Sequence, residues 1–280
     1  MHPKNPFSNN YDFDLLIKHY KPLKDFVFTN EYNTQTIKFA DKHAVKALNT
    51  ALLKTYYNID WHIPDSNLCP PIPGRLDYLL YVSDLVQKEN LKLLDIGTGA
   101  NLIYPILGTC HFNWQCTASE VDRDSLKNTA LLIQNNEALQ PIEVRKQQYK
   151  NSILEHIIQP DDYFDVVVCN PPFFKHRFEA QQKNQRKVKN LGLKEQDNLN
   201  FGGRSNELWY KGGEEAFVKK MATESALFKT QVQWFTSLVS QKEHLKNIKR
   251  AINKTHPTEV KIIDMTQGNK QSRFIAWTFN

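Results

Sequence analysis

The chain has 280 residues, 40% of them apolar and 24% charged. That balance excludes wholesale disorder and collagen-like structure, and no apolar run approaches the roughly 18 residues of a membrane-spanning helix. The net charge of +6 is unevenly spread: Lys175–Lys211 holds nine Lys and Arg against four acids, and Lys242–Lys254 holds five against one.

In chain order, residues 1–66 are polar with scattered aromatics. Their spacing predicts helices over Phe13–Tyr20 and Lys42–Tyr57, the second with Ala44, Ala47, Leu48, Ala51 and Leu52 on one stripe. This segment reads as an N-terminal extension packed on a main domain that spans 67–280. Pro70, Pro71, Pro73 and Gly74 predict a rigid connector, followed by a helix over Arg75–Lys88. Strands and helices then alternate. Leu91–Ile96 is a strand, Cys116–Val121 a second, and Asp124–Asn136 a helix. Ile142–Arg145 is a third strand. Asp165–Cys169 is a fourth, so β-branched that it belongs in the sheet centre, buried on both faces. A basic insert at about 174–212 follows. Then come helix Glu214–Phe228, strand Val232–Val239 and helix Lys242–Lys254. Val260–Met265 and Phe274–Phe279 lie too close for a crossover helix, so they pair antiparallel. The repetition means an α/β doubly wound sheet of seven strands.

Ligands of such sheets bind beyond the C-terminal strand ends, where the strand order reverses. Asp95-Ile96-Gly97-Thr98-Gly99-Ala100-Asn101 closes the first strand, and Glu120 closes the second. Glycines let a ligand approach the backbone, and a carboxylate at the second strand end can accept from both ribose hydroxyls. The loop lacks the third glycine of a dinucleotide fingerprint, and no phosphate-binding Lys-Ser/Thr pair follows. It suits a nucleoside with an amino-acid tail, S-adenosyl-L-methionine. An NAD-dependent oxidoreductase is correspondingly disfavoured.

Asn170-Pro171-Pro172-Phe173 comes directly after the buried fourth strand. Two prolines end the ladder and stiffen the turn, because neither can donate an N–H. An exocyclic nucleobase amine is a poor nucleophile, with its lone pair delocalised into the ring. The Asn170 amide oxygen and the Pro171 carbonyl can accept its two hydrogens and localise that pair. Phe173 can stack on a flipped-out base, worth about 1–3 kcal/mol. The adjoining Cys169 reads as a core thiol rather than a nucleophile.

These residues resemble a known family. Asn67-Leu68-Cys69-Pro70-Pro71-Ile72-Pro73-Gly74-Arg75, the Asp95-Ile96-Gly97-Thr98-Gly99-Ala100-Asn101-Leu102-Ile103-Tyr104-Pro105 string, Asn170-Pro171-Pro172-Phe173, Leu199-Asn200-Phe201-Gly202-Gly203, Gly212-Gly213-Glu214 and Gln271-Ser272-Arg273-Phe274-Ile275-Ala276-Trp277 are similar to strings of the bacterial 23S ribosomal RNA adenine-N6 methyltransferase (RlmF) family. The likeness runs from His2-Pro3-Lys4-Asn5 to the C-terminal strand. It implies a Rossmann-like S-adenosylmethionine-dependent methyltransferase fold and methylation of N6 of adenine 1618, in the family's rRNA numbering. The expected cofactor-binding residues are Arg75, Asp95, Gly97, Thr98, Gly99, Asn101, Glu120 and Asn170, with Arg75 on the methionine carboxylate. The expected catalytic set is Asn170, Pro171, Pro172 and Phe173. The implied partner is 23S rRNA or a large-subunit precursor particle, with no membrane and no metal. A monomer is expected.

The 1–66 extension and the basic insert are expected to choose the RNA. Charge reversal at Arg186, Lys187 and Lys189 should then weaken RNA binding. The alternatives are methylation of another RNA adenine, methylation of a protein glutamine amide, and an RNA-binding protein with an inactive methyltransferase fold. Met1–Asn10 has no apolar signal region, and Cys69, Cys110, Cys116 and Cys169 form no C-x-x-C pair. The expected location is cytoplasmic.

Overall fold

A computed structural model describes residues 1–175, 209–267 and 270–280. Helix α1 (Phe13–His19) starts at Asp12, whose side chain accepts from the Leu15 N–H. Helix α2 (Lys42–Tyr57) is capped by Asp41 and stopped by Asn58 at φ +54°. Its expected stripe from Ala44 to Leu52 is buried. Between them lies an antiparallel hairpin, β1 (Val27–Thr29) and β2 (Gln35–Ile37), too short to leave a period in the sequence. Helix α3 (Ile72–Val86) begins three residues before the expected Arg75. The connector is therefore shorter than expected, because Pro73 sits in the first turn, where its missing N–H costs nothing.

The main sheet holds β3 (Lys92–Ile96), β4 (Gln115–Glu120), β5 (Glu143–Lys146), β6 (Phe164–Cys169), β7 (Val232–Leu238), β8 (Glu259–Gln267) and β9 (Lys270–Thr278). Its seven strands run in the order β5-β4-β3-β6-β7-β9-β8. The β3–β7 block is parallel, and β9 runs antiparallel to both β7 and β8. Among the described residues, the α-helices between these strands are α4 (Ile103–Phe112), α5 (Arg123–Asn135), α6 (Gly213–Ser225) and α7 (His244–Asn253).

Side chains alternate across a strand, and β6 shows this directly. Val166 and Val168 join one apolar core with α2, α3 and α4, whereas Val167 and Cys169 join another with α6 and α7. All six residues of β6 are buried. At about 25 cal/mol per Å² of apolar surface, this double burial is the main force holding the layers together.

The N-terminal residues belong to the first core, since Phe7, Phe13, Leu16, Leu23 and Ile37 cluster with α2, α3 and Leu93 of β3. The first residues are fixed by polar contacts. The His2 backbone N–H donates to Asp77 Oδ1 at 2.6 Å, and the Asn5 amide donates to Asp77 and to the Pro73 carbonyl, both at 3.0 Å. Asp77 is buried, so these donors offset the desolvation of its carboxylate.

Candidate active site

Strand register places the motifs together. Ile96 lies opposite Ser119 on β4 and Cys169 on β6. Gly97, Glu120 and Asn170 therefore sit at one edge of the sheet. Because β4 and β5 lie on one side of β3, and β6 and β7 on the other, strand order reverses between the Gly97 loop and Asn170.

The Gly97 and Thr98 N–H groups both donate to the Ser119 carbonyl, at 3.1 and 3.0 Å. Gly97 has φ +73° and Gly99 φ +63°. A Cβ on Gly97 would meet nothing within 4 Å, so the space beside it is open. Leu102, where a third glycine would stand in a dinucleotide loop, is itself left-handed at φ +52°. Glu120 is buried and rigidly oriented. It accepts from the Gly99 N–H at 2.7 Å and from the Val121 and Asp122 N–H groups at 2.7 and 2.8 Å.

Asp95 is almost completely enclosed. Burial pushes its carboxyl up to about 7; the Thr98 hydroxyl opposes the rise, Glu120 adds to it, and Arg75 opposes it. Both Asp95 oxygens, the Thr98 hydroxyl and Asn170 Oδ1 are buried without a well-formed hydrogen bond among the described residues. An orphaned buried polar atom costs about 1–3 kcal/mol. Several at one strand edge mark a place shaped for a polar ligand, and an adenosine with an amino-acid tail fits that donor and acceptor set.

Arg75 is half-buried and points at Tyr104, donating to its hydroxyl at 3.1 Å. The guanidinium lies 5.7 Å from the Tyr104 ring centroid. Burial pushes the Tyr104 phenol up to about 12, so it stays neutral. Tyr104 packs edge-on to Tyr78 at 5.6 Å, and the Tyr78 hydroxyl meets Thr236 Oγ1 at 2.6 Å. The Asn101 oxygen accepts from the Ile103 N–H at 3.1 Å and so starts α4. Trp61 Nε1–H donates to the Asn101 carbonyl at 2.9 Å, and the Asn128 amide donates to the Ala100 carbonyl at 2.7 Å. Trp61 and Asn128 lie in no recognisable motif. Only the fold brings them to the loop.

In the Asn-Pro-Pro-Phe turn, Pro171 is buried and Asn170, Pro172 and Phe173 are half-buried. Phe174 forms a parallel bridge with Trp209, and the Tyr210 N–H donates to the Phe174 carbonyl at 3.1 Å. The Gly213 N–H donates to the Tyr210 carbonyl at 2.7 Å, which docks the start of α6 on the turn. Gly213 has φ +70°, and a Cβ there would come within 2.9 Å of Lys175 Cγ. Buried Glu214 next to it accepts from the Ser240 N–H and pairs with His244 Nδ1, both at 2.8 Å. Cys169 is fully buried, and burial raises its thiol well above the usual range. Residues 176–208, most of the expected basic insert and including Arg186, Lys187 and Lys189, lie outside the described residues.

The profile of the RNA methyltransferase family matches residues 1–280. The chain belongs to that family. Among similar curated proteins, "Ribosomal RNA large subunit methyltransferase F" of Christiangramia forsetii is 46% identical, over 100% of both chains. The protein of the same name from Pectobacterium carotovorum is also 46% identical, over 100% of this chain and 93% of its own. Two solved structures are similar along the whole chain. The hMettl16 catalytic domain in complex with MAT2A 3'UTR hairpin 1 gives a TM-score of 0.86 at 30% identity, covering 100% of this chain and 96% of that one. The N-terminal domain of human METTL16 in complex with SAH gives 0.80 at 26% identity, covering 100% and 99%. No helix among the described residues is long and apolar enough to cross a membrane. No group of three or more His, Cys, Asp or Glu among them could hold a metal ion.

Proposed function

We propose that this chain is an S-adenosylmethionine-dependent methyltransferase that modifies N6 of one adenine in 23S ribosomal RNA, presented as free RNA or within a large-subunit precursor particle. The observation that carries the reading is the buried, unpartnered Asn170 Oδ1 at the strand-order reversal, one strand away from the open Gly97 loop. The names of the ribosomal relatives and the RNA and SAH complexes of the structural neighbours support it.

S-adenosylmethionine supplies a methyl group on a sulfonium, which the adenine N6 lone pair can attack in line. Glu120 would hold the ribose hydroxyls, Arg75 the amino-acid carboxylate, and the Gly97–Gly99 backbone would line the tail. Asn170 Oδ1 accepts one N–H of the amine and the Pro171 carbonyl accepts the other. Those two bonds turn the lone pair out of the ring. Phe173 supplies the stacking face. The alkylated amine is acidic and releases its proton to water, so no strong base is needed. Positioning and electrostatic preorganisation account for the rate.

The test is Asn170→Ala in the full chain, with methyl incorporation into a 23S transcript as the readout. Turnover should fall about 10²–10³-fold, as it does when a preorganised hydrogen-bond partner is removed from other active sites. Mass mapping of rRNA from a strain lacking the gene, complemented by wild type or N170A, identifies the adenine. Undiminished incorporation by N170A would refute the reading.

A further inference from the structure

Helix α7 carries a charge pattern that the proposed chemistry does not use. Its inward face is His244, Ile248 and Ile252, spaced four residues apart and buried. Lys242, Lys246, Lys249, Arg250 and Lys254, on or just beyond the helix ends, are all exposed. None of these five cations has an ion pair among the described residues. Their neighbours on α6 differ: Lys219 is paired with Glu215 and Lys220 with Glu224. Unpaired cations on one helix face repel each other, and such an arrangement stabilises the fold least when nothing anionic covers it.

The position of α7 is also specific. β7 runs parallel to β6, so the chain enters α7 from the sheet edge that holds Asn170. The Glu214–His244 and Glu214–Ser240 contacts tie that end of the helix to the start of α6. The start of α6 is in turn docked on the Asn-Pro-Pro-Phe turn through Tyr210 and Phe174. From there α7 runs about 15 Å at 1.5 Å per residue. It packs on the α6 side of the sheet, whereas the N-terminal segment packs on the other.

We propose that the outer face of α7 is a phosphate-binding strip for the RNA that flanks the target adenine, on the side of the sheet opposite the N-terminal segment. This deepens the RNA-methyltransferase reading and rests on it. The occupant is the RNA backbone rather than a base edge. Lys and Arg presented along a helix to solvent neutralise phosphates without reading sequence.

The experiment uses the full chain with Lys246, Lys249 and Arg250 changed together to Glu, and a second variant with the same three changed to Gln. Gln keeps the helix propensity and removes only the charge. Affinity for a 23S transcript fragment is measured over a salt series, with S-adenosylmethionine affinity by calorimetry as the fold control. Losing three phosphate contacts should flatten the slope of log K against log salt by about 2 units. The Glu variant should bind at least tenfold more weakly at low salt, the Gln variant less so, with cofactor affinity unchanged. Unchanged RNA affinity and slope in both variants would overturn the proposal while leaving the methyltransferase reading intact. The methyltransferase reading fails separately if wild type methylates neither the transcript nor a large-subunit precursor particle. Unchanged transcript binding in both variants, with methylation lost only on a precursor particle, would also overturn the phosphate-strip proposal, pointing to a protein partner.

Discussion

Gly97 and Asp95 show how one residue's surroundings decide its role. At φ +73° a non-glycine residue is strained by roughly 1–2 kcal/mol, and a Cβ on Gly97 would touch no protein atom. Gly97→Ala should therefore lower stability only by that amount, read by urea unfolding. It should weaken S-adenosylmethionine binding more than tenfold, because the methyl fills the open space. Unchanged cofactor affinity would put the donor elsewhere. Asp95 titrates near 7 in the fold against 3.8 for the free side chain, chiefly through burial. The folded chain holds this proton more tightly than the unfolded one. Its contribution to stability is present below about pH 4 and is lost as pH rises towards 7. The thermal midpoint of Asp95→Asn should thus gain on wild type across that window. A gap independent of pH would contradict the burial argument. Gly97, Glu120 and Asn170 were legible in the sequence because each closes or directly follows a predicted strand. Trp61 and Asn128 were not, since their partners lie 40 and 28 residues away.

At the level of elements, periodicity was a good guide where one face of a helix is wet, and a poor one where none is. The Lys42–Tyr57 stripe matched α2 at both ends. Helix α4 had no counterpart in the sequence reading. Ile103 to Gly108 are all buried, and Pro105 and Gly108 blur any helical signal. The first turn of α3 was read as connector because its prolines look like breakers, yet Pro at a helix start is permitted. That turn also anchors the chain's N-terminal residues. Replacing Asn5 with Ala removes donors from the buried Asp77 carboxylate and the Pro73 carbonyl. The expected cost is about 1–3 kcal/mol in urea unfolding. A loss below about 0.5 kcal/mol would mean that water replaces the amide there.

For the whole molecule, the seven-stranded α/β sheet and its antiparallel last hairpin followed from strand–helix alternation and the short final link. The depth at which residues 1–66 enter the first core did not, because it depends on polar anchors such as His2 and Asn5 that carry no period. One contact joins these scales. The backbone pairing of Phe174 and Tyr210, beside the Phe174–Trp209 bridge, closes the chain on itself directly after the Asn-Pro-Pro-Phe turn. The entropy of closing a segment grows only slowly with its length, by about 0.6 kcal/mol per doubling. Descendants of this gene could therefore lengthen, shorten or reshuffle whatever lies between those two anchor points at small thermodynamic expense. Length there would drift by insertion and deletion while the Asn170 amide kept its place.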